Sequence, residues 1–219
     1  MKEREGIVFS ITRDNAPVTG YTVSRPILDT EDYGIAYFSI AAGTDISAET
    51  YGYPKLLLVH EGDMTVYTSG GAELILAEGC GIATPVNVPV GMKSKTGAVY
   101  TELRLKEDTV MMNQVLKNGT VFRLAELLPY QEGRIVNMDL ISDPKLKFVV
   151  MSFDEGTGLS EHAAPGEALV FALDGKGIIG YEGKDHLIQA GECFKFAKGG
   201  KHSVKADGKF KMALLLTLE

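Results

Sequence analysis

Slid against itself by 113 residues (119 − 6 = 113), the chain matches itself. Gly6-Ile7-Val8-Phe9 falls on Gly119-Thr120-Val121-Phe122, Gly20 on Gly133, and Val23 on Val136. Ser39 falls on Ser152, Gly43-Thr44 on Gly156-Thr157, Ser47 on Ser160, and Gly62 on Gly175. Beyond that point the shift is 112 (191 − 79 = 112), because Ser69-Gly70-Gly71 becomes Glu182-Gly183 and the loop loses one residue. Self-similarity at a fixed period limits a chain to architectures in which one unit is used twice. We read two modules, residues 1–112 and 113–219, with Glu107 to Asn118 joining them.

Each unit is expected to be all-β. Glycine makes up 25 of 219 residues and recurs at turn-like intervals. Between the glycines lie short runs rich in Val, Ile, Leu, Phe and Tyr: Gly34 to Ile40, Lys55 to Val59, Phe148 to Phe153, Ala168 to Leu173 and Lys211 to Leu218. Short strands punctuated by Gly and Pro turns make a sandwich or barrel. The helical period is nowhere sustained. Its best stretches, Asp108 to Leu116 and Arg123 to Leu128, are short.

Two motifs in the second module carry more. Ser160-Glu161-His162-Ala163-Ala164-Pro165-Gly166-Glu167-Ala168 leads into an apolar strand ending at Gly175. Gly191 then opens a stretch with Gly199 at a turn and His202 eleven residues on. This pair resembles the two motifs of the cupin superfamily, in its small bacterial conserved-barrel branch. The resemblance implies two tandem antiparallel jelly-roll barrels packed as an intramolecular pseudo-dimer, which can also support a homodimer.

The family holds a divalent transition metal on three imidazoles and one carboxylate, a donor set suited to Fe, Mn, Ni or Zn. Carried over residue by residue, His162 and His202 match the first and last histidines. Ala164 and Ala168 stand where the second histidine and the carboxylate belong, so the ligand pocket is expected around His162, His202, Ala164 and Ala168. Glu167 is the candidate third ligand. It sits one residue from the carboxylate position and joins only if Pro165-Gly166 makes a bulge that re-aims it. The first module keeps less. Glu49, Tyr51, Lys55 and Val90 occupy its ligand positions, so it reads as a degenerate barrel that is structural or holds an apolar pocket.

Other residues read plainly. His60 is expected in a solvated turn and His186 at the surface. Cys80 and Cys193 are expected as buried free thiols. Lys195, Lys198, Lys201 and Lys205 form a basic, solvated edge. Tyr51-Gly52-Tyr53-Pro54 caps the first barrel, and the methionines fill gaps in the barrels and between them.

Charge narrows the function. A net charge of −7 argues against a nucleic-acid or anionic-membrane binder. No apolar run reaches the roughly 20 residues of a spanning helix. With two cysteines and no secretory signal in Met1 to Glu5, a cytoplasmic protein is expected. The leading reading is a small-molecule-binding bicupin with a divalent metal in the C-terminal barrel. The alternatives are a metal-dependent enzyme of dioxygenase, isomerase or decarboxylase type, and a non-catalytic structural protein with filled barrels.

Overall fold

The computed structural model describes residues 1–106, 111–117 and 119–218. The first half contains β1 (Val8–Phe9), β2 (Thr22–Asp29), β3 (Tyr33–Ile40), β4 (Thr44–Glu49), β5 (Lys55–Gly62), β6 (Met64–Thr68), β7 (Glu73–Leu76), β8 (Cys80–Ala83), β9 (Val90–Ser94) and β10 (Ala98–Leu105). There follow β11 (Met111–Met112), β12 (Val121–Arg123), β13 (Ile135–Ser142), β14 (Leu146–Phe153), β15 (Gly158–Ala163), β16 (Glu167–Tyr181), β17 (Lys184–Gln189), β18 (Cys193–Phe196) and β19 (Lys201–Thr217). All pairings are antiparallel, and the apolar runs read as strands lie in β3, β5, β14, β16 and β19. Leu218 falls just beyond the end of β19.

The helical expectations give way. Part of Asp108 to Leu116 lies outside the described residues; the remainder holds β11 and a 3₁₀ turn at Gln114–Leu116. Arg123 ends a strand, and Leu124–Glu126 is another 3₁₀ turn. The α-helix Ile11–Asp14 is a single turn, capped by the Ser10 side chain. Among the described residues no helix is long and apolar enough to cross a membrane.

One strand order occurs twice. One sheet runs β12-β8-β5-β10-β3-β2, and another runs β1-β18-β16-β19-β14-β13-β11. The order also shows an exchange. β1, near the chain start, pairs with β18 through Val8↔Phe194, while β12 pairs with β8 through Phe122↔Gly81. The sequence boundary at 112/113 is therefore not where the strands divide in space. Gly81 makes the second seat possible, because a Cβ there would lie 2.7 Å from the Phe122 ring.

The shortened loop has a defined geometry. Glu182 and Gly183 both take positive φ, 48° and 77°, closing β16 and β17 with the two-residue turn that twisted hairpins prefer.

β5 explains the continuous apolar run Leu56-Leu57-Leu58-Val59. Alternate side chains point to opposite faces. Leu56 and Leu58 join a core shared by both halves with Phe148, Leu169 and Phe171. Leu57 and Val59 enter the interior of the first half with Ile40, Met64 and Met92. The second half has its own interior, packed with Phe153, Phe194, Phe196, Phe210 and Met212. Met138 and Met151 pack against these cores, whereas Met111 is exposed.

Candidate functional site

His162 lies on β15 opposite His202 on β19, and their ring centroids are 4.2 Å apart. His162 is exposed; His202 is buried and stacks on Phe196 at 4.0 Å. Each Nδ1 meets a backbone carbonyl, Ser160 O at 2.9 Å and Gly200 O at 3.1 Å. A carbonyl only accepts, so in the neutral rings Nδ1 carries the proton and Nε2 keeps a lone pair. Burial lowers the His202 pKa against the opposing pull of the Gly200 carbonyl, and His162 lowers it further.

The rest of the expected ligand set is elsewhere. Ala164 and Ala168 are buried in the apolar interior of the second half. Glu167 faces the other side of β16, because alternation puts it with Leu169 and Phe171 rather than with Ala168. Its carboxylate is bound by Lys195 Nζ at 2.6 Å and by the α-amino group of Met1. Burial pushes its pKa up, but these two cations win and hold it below the ordinary carboxylate value. Among the described residues no group of three or more His, Cys, Asp or Glu is placed to hold an ion. Two imidazoles do not fit an ion site built on four donors.

The first half holds a different constellation. On β10, Tyr100, Glu102 and Arg104 share one face; on β5, Lys55, Leu57 and Val59 do. Arg104 lies opposite Lys55, and Glu102 opposite Leu57. Lys55 Nζ is 3.3 Å from Glu102 Oε2 and 3.5 Å from the Tyr51 ring centroid. Tyr51 donates its hydroxyl hydrogen to Glu49. Arg104 Nε lies 3.8 Å from Glu102 Oε1, too far for a hydrogen bond.

Gly34 makes room for the guanidinium. A Cβ there would lie 2.5 Å from Arg104 Nη2. Glu102 and Lys55 are buried, and burial raises the Glu102 pKa although Lys55 and Arg104 pull it down. A cavity of about 200 Å³ opens among these side chains, walled also by Phe38, Ile46 and Met92. The expected apolar pocket is thus charged.

Sequence reasoning missed Lys55, Glu102 and Arg104 as site residues. The available signal was two charges, at 102 and 104, inside the apolar strand Ala98–Leu105.

Other expectations change as well. His60 is not in a solvated turn. Its Nε2 lies 2.6 Å from Thr101 Oγ1, its ring stacks on Phe171 at 5.8 Å, and burial pushes its pKa down to about 4. It lines a cleft of about 80 Å³ between the halves with Cys80, Cys193 and Leu124. His186 is half-buried, with its ring 5.0 Å from that of Phe194. Both cysteines are buried free thiols, and burial raises the Cys193 pKa. Lys195 leaves the basic edge for its ion pair with Glu167, while Lys198, Lys201 and Lys205 are exposed.

Comparison with known proteins agrees with this architecture. Residues 149–218 match the model of the cupin domain family. A cupin 2 conserved barrel domain protein from Leptotrichia buccalis matches over 99% of this chain and 98% of its own, with a TM-score of 0.87 and 27% identity. A salicylate 1,2-dioxygenase from Pseudaminobacter salicylatoxidans matches over 96% of this chain and 83% of its own (TM-score 0.67, 11% identity). An oxalate decarboxylase matches over 98% and 78% (TM-score 0.55, 11% identity). At such identities the last two show the fold alone. No curated protein matches the chain.

Proposed function

We propose that the chain is a small-molecule-binding protein made of two tandem jelly-roll barrels, residues 1–112 and 113–219, and that the ligand enters the N-terminal one. The duplicated reading is supported by register. Glu102 lies between Leu57 and Ala36; 112 or 113 residues later, Leu214 lies between Val170 and Val149.

The observation that carries the function is what occupies equivalent positions. Lys55, Glu102 and Arg104 stand where the second half has Ala168, Leu214 and Leu216. The fold is therefore complete with apolar residues there. Burying ionic groups instead costs desolvation, and replacing such groups with apolar ones often stabilises a protein. A buried ionic cluster beside a cavity, at positions the fold can fill with apolar residues, supports a binding site there. The cavity also argues against the filled-barrel structural reading.

The second barrel supports the first as a packed partner. Among the described residues its two imidazoles lack further donors for a divalent ion, because Glu167 is committed to Lys195 and to the Met1 amine. The metal-dependent enzyme reading therefore ranks second.

Non-denaturing mass spectrometry tests the proposal, after the protein is equilibrated with a cellular small-molecule extract. A low-mass adduct on the wild type, absent from Lys55→Ala/Glu102→Leu/Arg104→Leu, is expected. Equal adducts on both proteins, or none on either, would sink it.

A further inference from the structure

The N-terminal cavity is bordered by four charged side chains, Glu49, Lys55, Glu102 and Arg104, and their hydrogen bonds are unevenly satisfied. Glu49 accepts from Tyr51. Asp29 accepts from Lys106 at 2.8 Å and from Arg104 Nη2 at 3.3 Å, outside the cavity. Glu102 has Lys55 beside it. Arg104 Nε, in contrast, is a buried donor without an acceptor, and the Tyr100 hydroxyl is also buried without a partner. A buried donor left unmade costs about 1–3 kcal/mol, so such groups call for an explanation. The missing component is an acceptor.

Its position is constrained from several sides. Gly34 lets the guanidinium lie flat against β3, since any side chain there would displace it. Arg104 is directly opposite Lys55, and the two cations converge on one carboxylate, Arg104 Nε 3.8 Å from Glu102 Oε1 and Lys55 Nζ 3.3 Å from Glu102 Oε2. The cations share the cavity with apolar side chains, Phe38, Met92 and Ile46, and with the polar Ser24 and Tyr51. The cavity, about 200 Å³, suits a molecule of roughly ten non-hydrogen atoms.

We propose that this cavity takes a small monocarboxylate with an apolar body, its carboxylate accepting from Arg104 Nε and Lys55 Nζ. This rests on the reading that the N-terminal barrel binds a small molecule, and it specifies the class. A carboxylate arriving beside Glu102 adds a like charge to a group whose pKa burial already raises. Glu102 also faces Lys55 from β5, Arg104 and Tyr100 from its own strand, and Glu49 and Tyr51 from β4 and the loop after it. Binding is therefore accompanied by proton uptake on Glu102.

Cyclohexanecarboxylate, cyclohexanecarboxamide and cyclohexylmethylammonium carry charges of −1, 0 and +1 on one body. Titration calorimetry of the full chain at pH 6.5, in two buffers of different ionisation enthalpy, compares them. The carboxylate is expected to bind about tenfold more tightly than the amide, the margin of charge-assisted over neutral hydrogen bonds. Glu102→Gln should keep binding but abolish the proton uptake. Arg104→Lys, which keeps the charge and removes the Nε donor, should remain folded and lose the preference. Equal binding of carboxylate and amide, tighter binding of the ammonium, or no binding of any probe overturns the assignment. An adduct from the cellular extract alongside any of those results would leave small-molecule binding standing and remove only the carboxylate class.

Discussion

Lys55 faces Arg104 across β5 and β10 at the register position where Ala168 faces Leu216 across β16 and β19. One pair is cationic and one apolar, on the same scaffold. The difference can be measured as stability. Lys55→Ala/Glu102→Leu/Arg104→Leu should raise the unfolding free energy by about 1–4 kcal/mol in urea. Lys55→Met alone strands the buried Glu102 carboxylate and should lower it by about 3 kcal/mol. A triple variant less stable than wild type would mean that the cluster serves the fold.

The exchanged strands predict an effect across the sequence boundary. Phe122 lies beyond residue 113 but pairs with Gly81 and joins the core that holds Leu58. Phe122→Ala should cost about 3–5 kcal/mol. It should also speed amide exchange in β8 more than in β18. The opposite pattern would contradict the strand pairing.

His60 sets a pH window. Its folded-state pKa of about 4 lies below the ordinary 6.5, so the unfolded chain binds the extra proton between those values. The contribution is fully present above pH 6.5 and is lost as pH falls towards 4. Its size is at most about 3 kcal/mol. His60→Gln should flatten the stability profile between pH 6.5 and 4, relative to wild type. An unchanged slope would show that the ring is already solvated.

Much of the fold was legible because glycine turns and two-residue alternation are local signals. The self-match of the sequence is equally local, and Gly62 and Gly175, which it aligns, both take positive φ, 74° and 71°; the strand pairing order was not read from it. The polar cluster was not legible for a physical reason. β5 and β10 are buried on both faces, so alternation does not tell which face holds Glu102 and Arg104. Glu167 was misplaced by a similar ambiguity. A one-residue offset turns a side chain to the opposite face, and Lys195 together with the Met1 amine claims it there. His60 looked like a turn residue because its partners, Thr101 and Phe171, are remote in sequence.

The two-histidine site gives a further expectation. With Ala164 and Ala168 at the missing ligand positions, protein purified without chelator and then dialysed should hold well under one equivalent of Fe, Mn, Ni or Zn by elemental analysis. One tightly held equivalent, lost in His162→Ala/His202→Ala, would restore the metal-enzyme reading.

The most direct test of where the ligand enters uses methionines as reporters. Met92 walls the N-terminal cavity, whereas Met212 is packed in the interior of the second half. With ¹³C-methyl methionine, NMR spectra recorded while cyclohexanecarboxylate or a cellular small-molecule extract is added should shift Met92 and leave Met212 in place. A shift of Met212 with Met92 unmoved would contradict the account.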